Sequence, residues 1–184
     1  MVSLVYKFDN SILISIRNNM HGPIMDKFMV GITSLGNGGT IWILISLLLI
    51  ISKRHRKVGV MSLCALLLGA VLGEGIIKHL VQRARPSASI PISSLLIAKP
   101  LSYSFPSGHT TASFAAAGVL GKYFKSCAFE AYGLAILIAF SRLYLYVHYP
   151  TDVLAGIILG FVCSRIVIYL FNKYSILSGM NNQS

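Results

Sequence analysis

From residue 128 to residue 171 the chain reads AFEAYGLAILIAFSRLYLYVHYPTDVLAGIILGFVCSRIVIYLF, two apolar arms, 128–147 and 153–171, hinged on His148 to Asp152. Each arm is near the ~20 residues that a helix needs to cross a bilayer. Pro150 interrupts the helical pattern, and Thr151 or Asp152 is a natural cap for the helix that follows. The stretch therefore reads as two membrane spans joined by a tight turn. Charged and titratable side chains are costly beside hydrocarbon, so Arg142, His148 and Asp152 at this turn point to a function.

The whole chain supports a membrane setting. Of its 184 residues 55% are hydrophobic and only 11% charged, against about 25% charged in an ordinary soluble domain. Val58 to Ile77 and Gly108 to Phe124 give two further spans, and Phe28 to Ser52 gives another, interrupted by Gly36-Asn37-Gly38-Gly39 and read as one bent crossing. With 128–147 and 153–171, five spans result. Residues 1–21 place Ile12, Leu13, Ile14 and Ile16 between Asp9 and Arg17, an amphipathic pattern too short to span and read as an interfacial helix. This segment lacks the basic start and small-residue cleavage site of a secretory signal, so it is expected to stay attached. The expected fold is an all-α integral-membrane bundle of about five helices plus that amino-terminal helix. Residues 22–174 form its single domain, and 175–184 a polar tail. There is no repeat or low-complexity linker to divide it.

Net charge is +11, but the basic residues sit in short clusters between apolar runs, which favours lipid and phosphate over nucleic acid as partners. Cytoplasmic loops collect Lys and Arg. Lys53, Arg54, Arg56 and Lys57 therefore mark the inside, and alternation places Lys122, Lys125 and Lys173 inside too. The opposite face holds Lys78, Arg83, Arg85, Lys99 and Arg142, which the orientation rule does not explain. On that outer face the end of the second span, the start of the third, the end of the fourth and the start of the fifth come together.

Three clusters lie at those four ends: Lys78 to Arg85-Pro86, Pro106-Ser107-Gly108-His109, and Ser141-Arg142 with His148 and Asp152. Lys78, Arg85 and Arg142 supply the fixed cations that a phosphoryl group in transfer requires, and Arg can grip two oxygens at once. Ser107 and Gly108 stand where a helix begins, and the free N–H groups there attract anions. A carboxylate on one imidazole nitrogen fixes the tautomer and leaves the other nitrogen nucleophilic, which fits Asp152 and His148. Each cluster also has a plainer explanation: cations anchoring helix ends at headgroups, an ordinary turn and cap, and an acid that only caps its helix. A zinc site of His109, His148 and Asp152 is a further alternative, opposed by the neighbouring cations, which favour an anion. No metal or other cofactor is expected. Glu74, the one acid in the interior of a span, is read as the partner of Lys78 or His79. Cys64, Cys127 and Cys163 are read as small buried hydrophobes. Trp42, Tyr103, Tyr144, Tyr146 and Tyr149 are taken as packing or interfacial aromatics, and His21 and His55 have no partner in sequence.

With the three clusters in this order and spacing, the chain resembles the type 2 phosphatidic acid phosphatase superfamily, membrane lipid phosphatases related to bacterial undecaprenyl-diphosphatases. The resemblance covers about residues 28–171. It implies a helical core and metal-independent hydrolysis through a phosphohistidine. His148 would be the nucleophile, Asp152 its orienting partner and His109 the proton donor to the leaving oxygen. Lys78, Arg85, Ser107, Gly108 and Arg142 would hold the phosphoryl oxygens. It further implies a cell-membrane enzyme acting on undecaprenyl diphosphate or else on phosphatidylglycerophosphate or phosphatidate, and the outward face argued from the basic residues would make its site extracytoplasmic. A transporter or non-catalytic anionic-lipid binder is the reading from another class.

Overall fold

On the first helix, α1 (Val2–Asn19), one face carrying Asp9, Leu13 and Ile16 is buried against α7 (Ala128–Tyr144) and α8 (Pro150–Asn181), while Leu4, Phe8 and Ile14 stay exposed. This computed structural model describes residues 2–91 and 95–181, and among them every regular element is helical. Helix α2 (Pro23–Leu35) starts on Pro23 after the extended Gly22, where the missing proline N–H costs nothing. It ends at the Gly36–Gly39 break. Gly38 and Gly39 take φ of 57° and 72°, which side-chain-bearing residues rarely adopt, and α3 (Thr40–Ile51) leaves bent by 47°. The bend expected from the glycines is present, although the first limb begins at Pro23 and not at Phe28.

Helix α4 (Arg56–Ala70) passes through a π-helical turn, Val71–Ile77, into the short α5 (Lys78–Val81). Single π turns inside α-helices are frequent at functional sites, and this one carries Glu74 and aims Lys78. Helix α6 (Gly108–Tyr123) is the centre of the molecule, touching α4, α7 and α8 and buried almost continuously from Thr110 to Gly121. The α6–α8 crossing is set by small residues four apart on α8. A Cβ on Gly156 would meet the Ser107 carbonyl at 2.9 Å, one on Gly160 the Thr111 carbonyl at 2.7 Å, and Ser164 packs against Gly118. Backbones that approach this closely are a membrane-helix device. The crossing brings the Ser107 N–H to the Asp152 carbonyl at 3.1 Å, tying the starts of the two helices together.

Three stretches, Arg56–Val81, Lys125–Tyr144 and Pro150–Tyr174, are long and apolar enough to cross a membrane, and the bent pair Pro23–Leu35 with Asn37–Ile51 can make a fourth. By length and composition these make at most four among the described residues, against the expected five, because α6 has only 16 residues and is rich in Ala, Gly, Ser and Thr. Its neighbours, not lipid, cover it, so it needs neither full length nor strong hydropathy. Helix α8 also continues to Asn181 through most of the expected polar tail, while residues 182–184 lie outside the described residues. Cys163 is buried and Cys64 partly so, but Cys127 is exposed on the turn before α7, contrary to its reading as a buried hydrophobe. Trp42 is a core aromatic whose indole N–H donates to Ser113 at 2.9 Å.

Candidate active site

At the end of the bundle where α5, α6, α7 and α8 meet, a cavity of about 930 Å³ is lined by Lys78, Arg85, Gly108, His109, Arg142 and His148. Six of the eight residues singled out from sequence thus line one cavity. The other two, Ser107 and Asp152, are fully buried and do not line it. Ser107 holds the N-cap position of α6 without a side-chain cap; its hydroxyl accepts from Thr110 at 2.9 Å and its carbonyl from the Thr111 N–H. The hydroxyl cap expected from sequence is absent, and the Ser107 hydroxyl is engaged by Thr110 instead.

His148 is 2% exposed. Its Nε2 lies 2.9 Å from Arg85 Nη1, which can only donate, so Nε2 carries the lone pair and the proton belongs on Nδ1. Nδ1 lies 3.5 Å from Asp152 Oδ2, close but outside hydrogen-bond geometry, and becomes an ion pair only when the ring gains charge. Asp152 is instead held by the Tyr149 N–H on Oδ2 at 2.9 Å and by Arg83 Nη1 on Oδ1 at 2.6 Å. Burial, outweighing the pull of Asp152, lowers the His148 imidazole to about 3, so the ring is neutral over the working range of most enzymes.

The cations differ in what they have left to offer. All five Arg85 N–H groups point at protein acceptors: the Ser102 carbonyl and hydroxyl, the Tyr103 and Val147 carbonyls, and His148 Nε2. Arg142 donates from Nη1 to Thr33, while its buried Nε has no partner. Lys78 is paired with Glu74 at 2.6 Å, the partnership expected from their spacing. The Glu74 carboxylate also crowds Gly108, where a Cβ would come within 2.2 Å of its Oε1. Any side chain there would displace it, so glycine at 108 lets an anionic group sit at the start of α6.

Four further residues take parts in the site that sequence reading does not assign, although Arg83 is among the outer-face cations. Asn37, in the glycine break, meets His109 Nε2 at 3.0 Å through its side-chain oxygen. Thr33 is the acceptor for Arg142. Arg83 and Asp9 stand behind Asp152, with Arg83 Nη2 on Asp9 Oδ2 at 2.6 Å. The polar GNGG break and the placement of Asp9 on the face of Leu13 and Ile16 were the available signals. His21, unassigned from sequence, stacks on Tyr144 and pairs with Asp26 at 3.1 Å. Among the described residues no three His, Cys, Asp or Glu side chains are grouped as a metal donor set.

Residues 59–176 match the PAP2 superfamily. An undecaprenyl-diphosphatase of Sulfolobus acidocaldarius is 37% identical over 121 residues, 65% of this chain and 58% of that protein. This chain therefore spans under two thirds of that relative's length. A lipid A 4'-phosphatase of Bacteroides thetaiotaomicron is 31% identical over 179 residues, covering 87% of this chain and 75% of the relative. The crystal structure of a PAP2-type phosphatidylglycerolphosphate phosphatase from Bacillus subtilis superposes with a TM-score of 0.75 at 26% identity, over 92% of this chain and 87% of that one.

Proposed function

The chain belongs to the PAP2 superfamily, and from that premise we propose that it is a membrane phosphatase that removes the terminal phosphate of a lipid phosphate or diphosphate through a phosphohistidine at His148. The observation that carries this reading is the buried, neutral His148, whose Nε2 lone pair meets Arg85 in a cavity that Lys78 and Arg142 also line. A phosphoryl group placed there meets fixed positive charge on its oxygens and an imidazole on its phosphorus.

In the first step the Nε2 lone pair forms the N–P bond as the P–O bond to the lipid breaks, and His109 gives its proton to the departing oxygen. In the second, water attacks phosphorus, its proton passes to His109, the N–P bond breaks and inorganic phosphate leaves. The Nδ1 proton faces Asp152, whose negative charge offsets the positive charge that grows on the ring. Arg142, with its unpartnered Nε, is the cation readiest to accept phosphoryl oxygens, and Gly108 and Lys78 complete the cradle once Glu74 yields its place. Arg85 would keep most of its bonds to the 102–103 segment and turn Nη1 from His148 toward the phosphate.

The same cavity extends along Ile43, Leu63, Leu66 and Leu67, so an apolar chain can lie beside the cations. That suits a long-tailed lipid, and the 37% identical relative favours undecaprenyl diphosphate within this class. We place the site at the extracytoplasmic face, opposite the basic connections at Lys53–Lys57 and Lys122–Lys125. The test is phosphate release by purified protein in detergent from undecaprenyl diphosphate, phosphatidylglycerophosphate and phosphatidate. Turnover of at least one is expected, with His148→Ala lowering kcat on the order of 10⁴-fold or more. Binding without release of phosphate would instead mark a carrier, and full activity of His148→Ala would remove the nucleophile assigned here.

A further inference from the structure

Behind the nucleophile, two fully buried carboxylates are bridged by one guanidinium. Arg83 donates from Nη1 to Asp152 Oδ1 and from Nη2 to Asp9 Oδ2, both at 2.6 Å, and Nη1 also reaches the Thr151 hydroxyl at 2.7 Å. Asp9 in turn accepts from the Thr151 N–H at 3.0 Å and from its hydroxyl at 2.7 Å, so it fastens α1 to the first turn of α8. The Arg83 guanidinium lies over the rings of Tyr149 at 4.0 Å and Tyr6 at 4.9 Å. Each of these contacts spans a long stretch of sequence, 74 residues in the case of Arg83 and Asp9.

Asp152 needs such help. Its bond to the Tyr149 N–H fixes one oxygen, but its distance to His148 Nδ1 is 3.5 Å, and nothing else on its own helix sets the angle of the carboxylate. Arg83 fixes the second oxygen. Left alone, however, a guanidinium on Asp152 would neutralise the charge that the attacking imidazole draws on. The second carboxylate, Asp9, shares the Arg83 charge and leaves the trio with a net negative charge beside the ring.

We infer that Arg83 and Asp9 are positioning residues for the His148–Asp152 pair, acting in series, so that helix α1 sets the reactivity of a nucleophile it does not touch. The inference rests on His148 being that nucleophile. It concerns the chemical step: neither residue lines the cavity, so substrate affinity is outside their reach.

The experiment is steady-state hydrolysis of farnesyl diphosphate and dioctanoyl phosphatidate by the full chain in detergent, with Asp9→Asn, Arg83→Gln and the double variant, alongside melting temperatures. Asp9→Asn should lower kcat about 10-fold and Arg83→Gln about 100-fold with KM within about twofold, and the double variant should be no worse than Arg83→Gln alone. Tyr6→Leu, which removes one ring from Arg83 and no ion pair, should lower kcat about threefold and stands in if the charge variants do not fold. Unchanged kcat in the folded variants, multiplicative losses in the double, or losses that fall on KM overturn the inference while the phosphatase reading stands. An inactive wild type with both probes and with the long-chain panel removes the phosphatase reading and this inference with it.

Discussion

Arg142 and Arg85 look alike in sequence, each a guanidinium beside a conspicuous partner, yet the structure divides their work. Arg85 spends its five donors on protein, whereas Arg142 keeps a buried Nε unpaired, an arrangement that is costly unless an anion arrives. Replacing Arg142 with Lys retains the charge and loses the planar fork, so kcat/KM for lipid phosphate should fall about 100-fold, roughly 3 kcal/mol of transition-state stabilisation. A loss under threefold would show that a point charge suffices. His148 supports a second prediction at this scale. A free imidazole gains its proton near pH 6.5, but burial lowers this one to about 3. Between those values the unfolded chain binds a proton that the folded protein refuses, so the His148 contribution to stability is lost as pH falls through that interval. At pH 5 the nitrogen-15 spectrum of histidine-labelled protein should still show His148 as the neutral tautomer protonated on Nδ1. An imidazolium pattern at that pH contradicts the assignment.

The contact between α6 and α8 decides whether the site exists, because Ser107 and Asp152 are joined there through the backbone. Gly160 leaves no room for a side chain, with the Thr111 carbonyl 2.7 Å and the Ala115 N–H 2.9 Å from where a Cβ would stand. Gly160→Leu should therefore separate the two helices and abolish turnover, with a loss of thermal stability of about 3 kcal/mol or more. Gly133 on α7 faces open space, and Gly133→Ala should be neutral or stabilising by up to about 1 kcal/mol through helix propensity. Equal melting temperatures for the two variants would show that the crossing tolerates separation. This scale also shows what the sequence could and could not disclose. The apolar runs and Pro150 located α4, α7 and α8, and helix alternation brought Lys78, His109, Arg142 and His148 to one end without any family. By contrast, α6 read simply as one more span, because its place at the centre depends on what surrounds it. Asn37, Thr33, Arg83 and Asp9 stayed hidden because their partners are 69 to 109 residues away, where no periodicity connects them. Asp9 was visible only as the end of an amphipathic pattern, and its burial follows from docking on α7 and α8.

At the scale of the molecule, charge separates into two ends. The ring of His55 on the α3–α4 turn meets Phe124 after α6 at 5.0 Å, and the Tyr123 hydroxyl reaches Asn172 on α8 at 3.3 Å. These contacts gather the basic clusters around Lys53–Lys57, Lys122–Lys125 and Lys173 at one end, away from the cavity cations at the other. Basic loops that share an end are held on the cytoplasmic side during insertion, so the cavity end should face outward. Native Cys127 is exposed at the basic end, and Leu101 is fully exposed on the segment between α5 and α6. A membrane-impermeant maleimide applied to intact cells should leave Cys127 unmodified until the membrane is opened. In a Cys127→Ser background, Leu101→Cys should react from outside at once. The reverse pattern would place the cations within reach of cytoplasmic phosphate esters. It would also overturn the outward placement of the site proposed above.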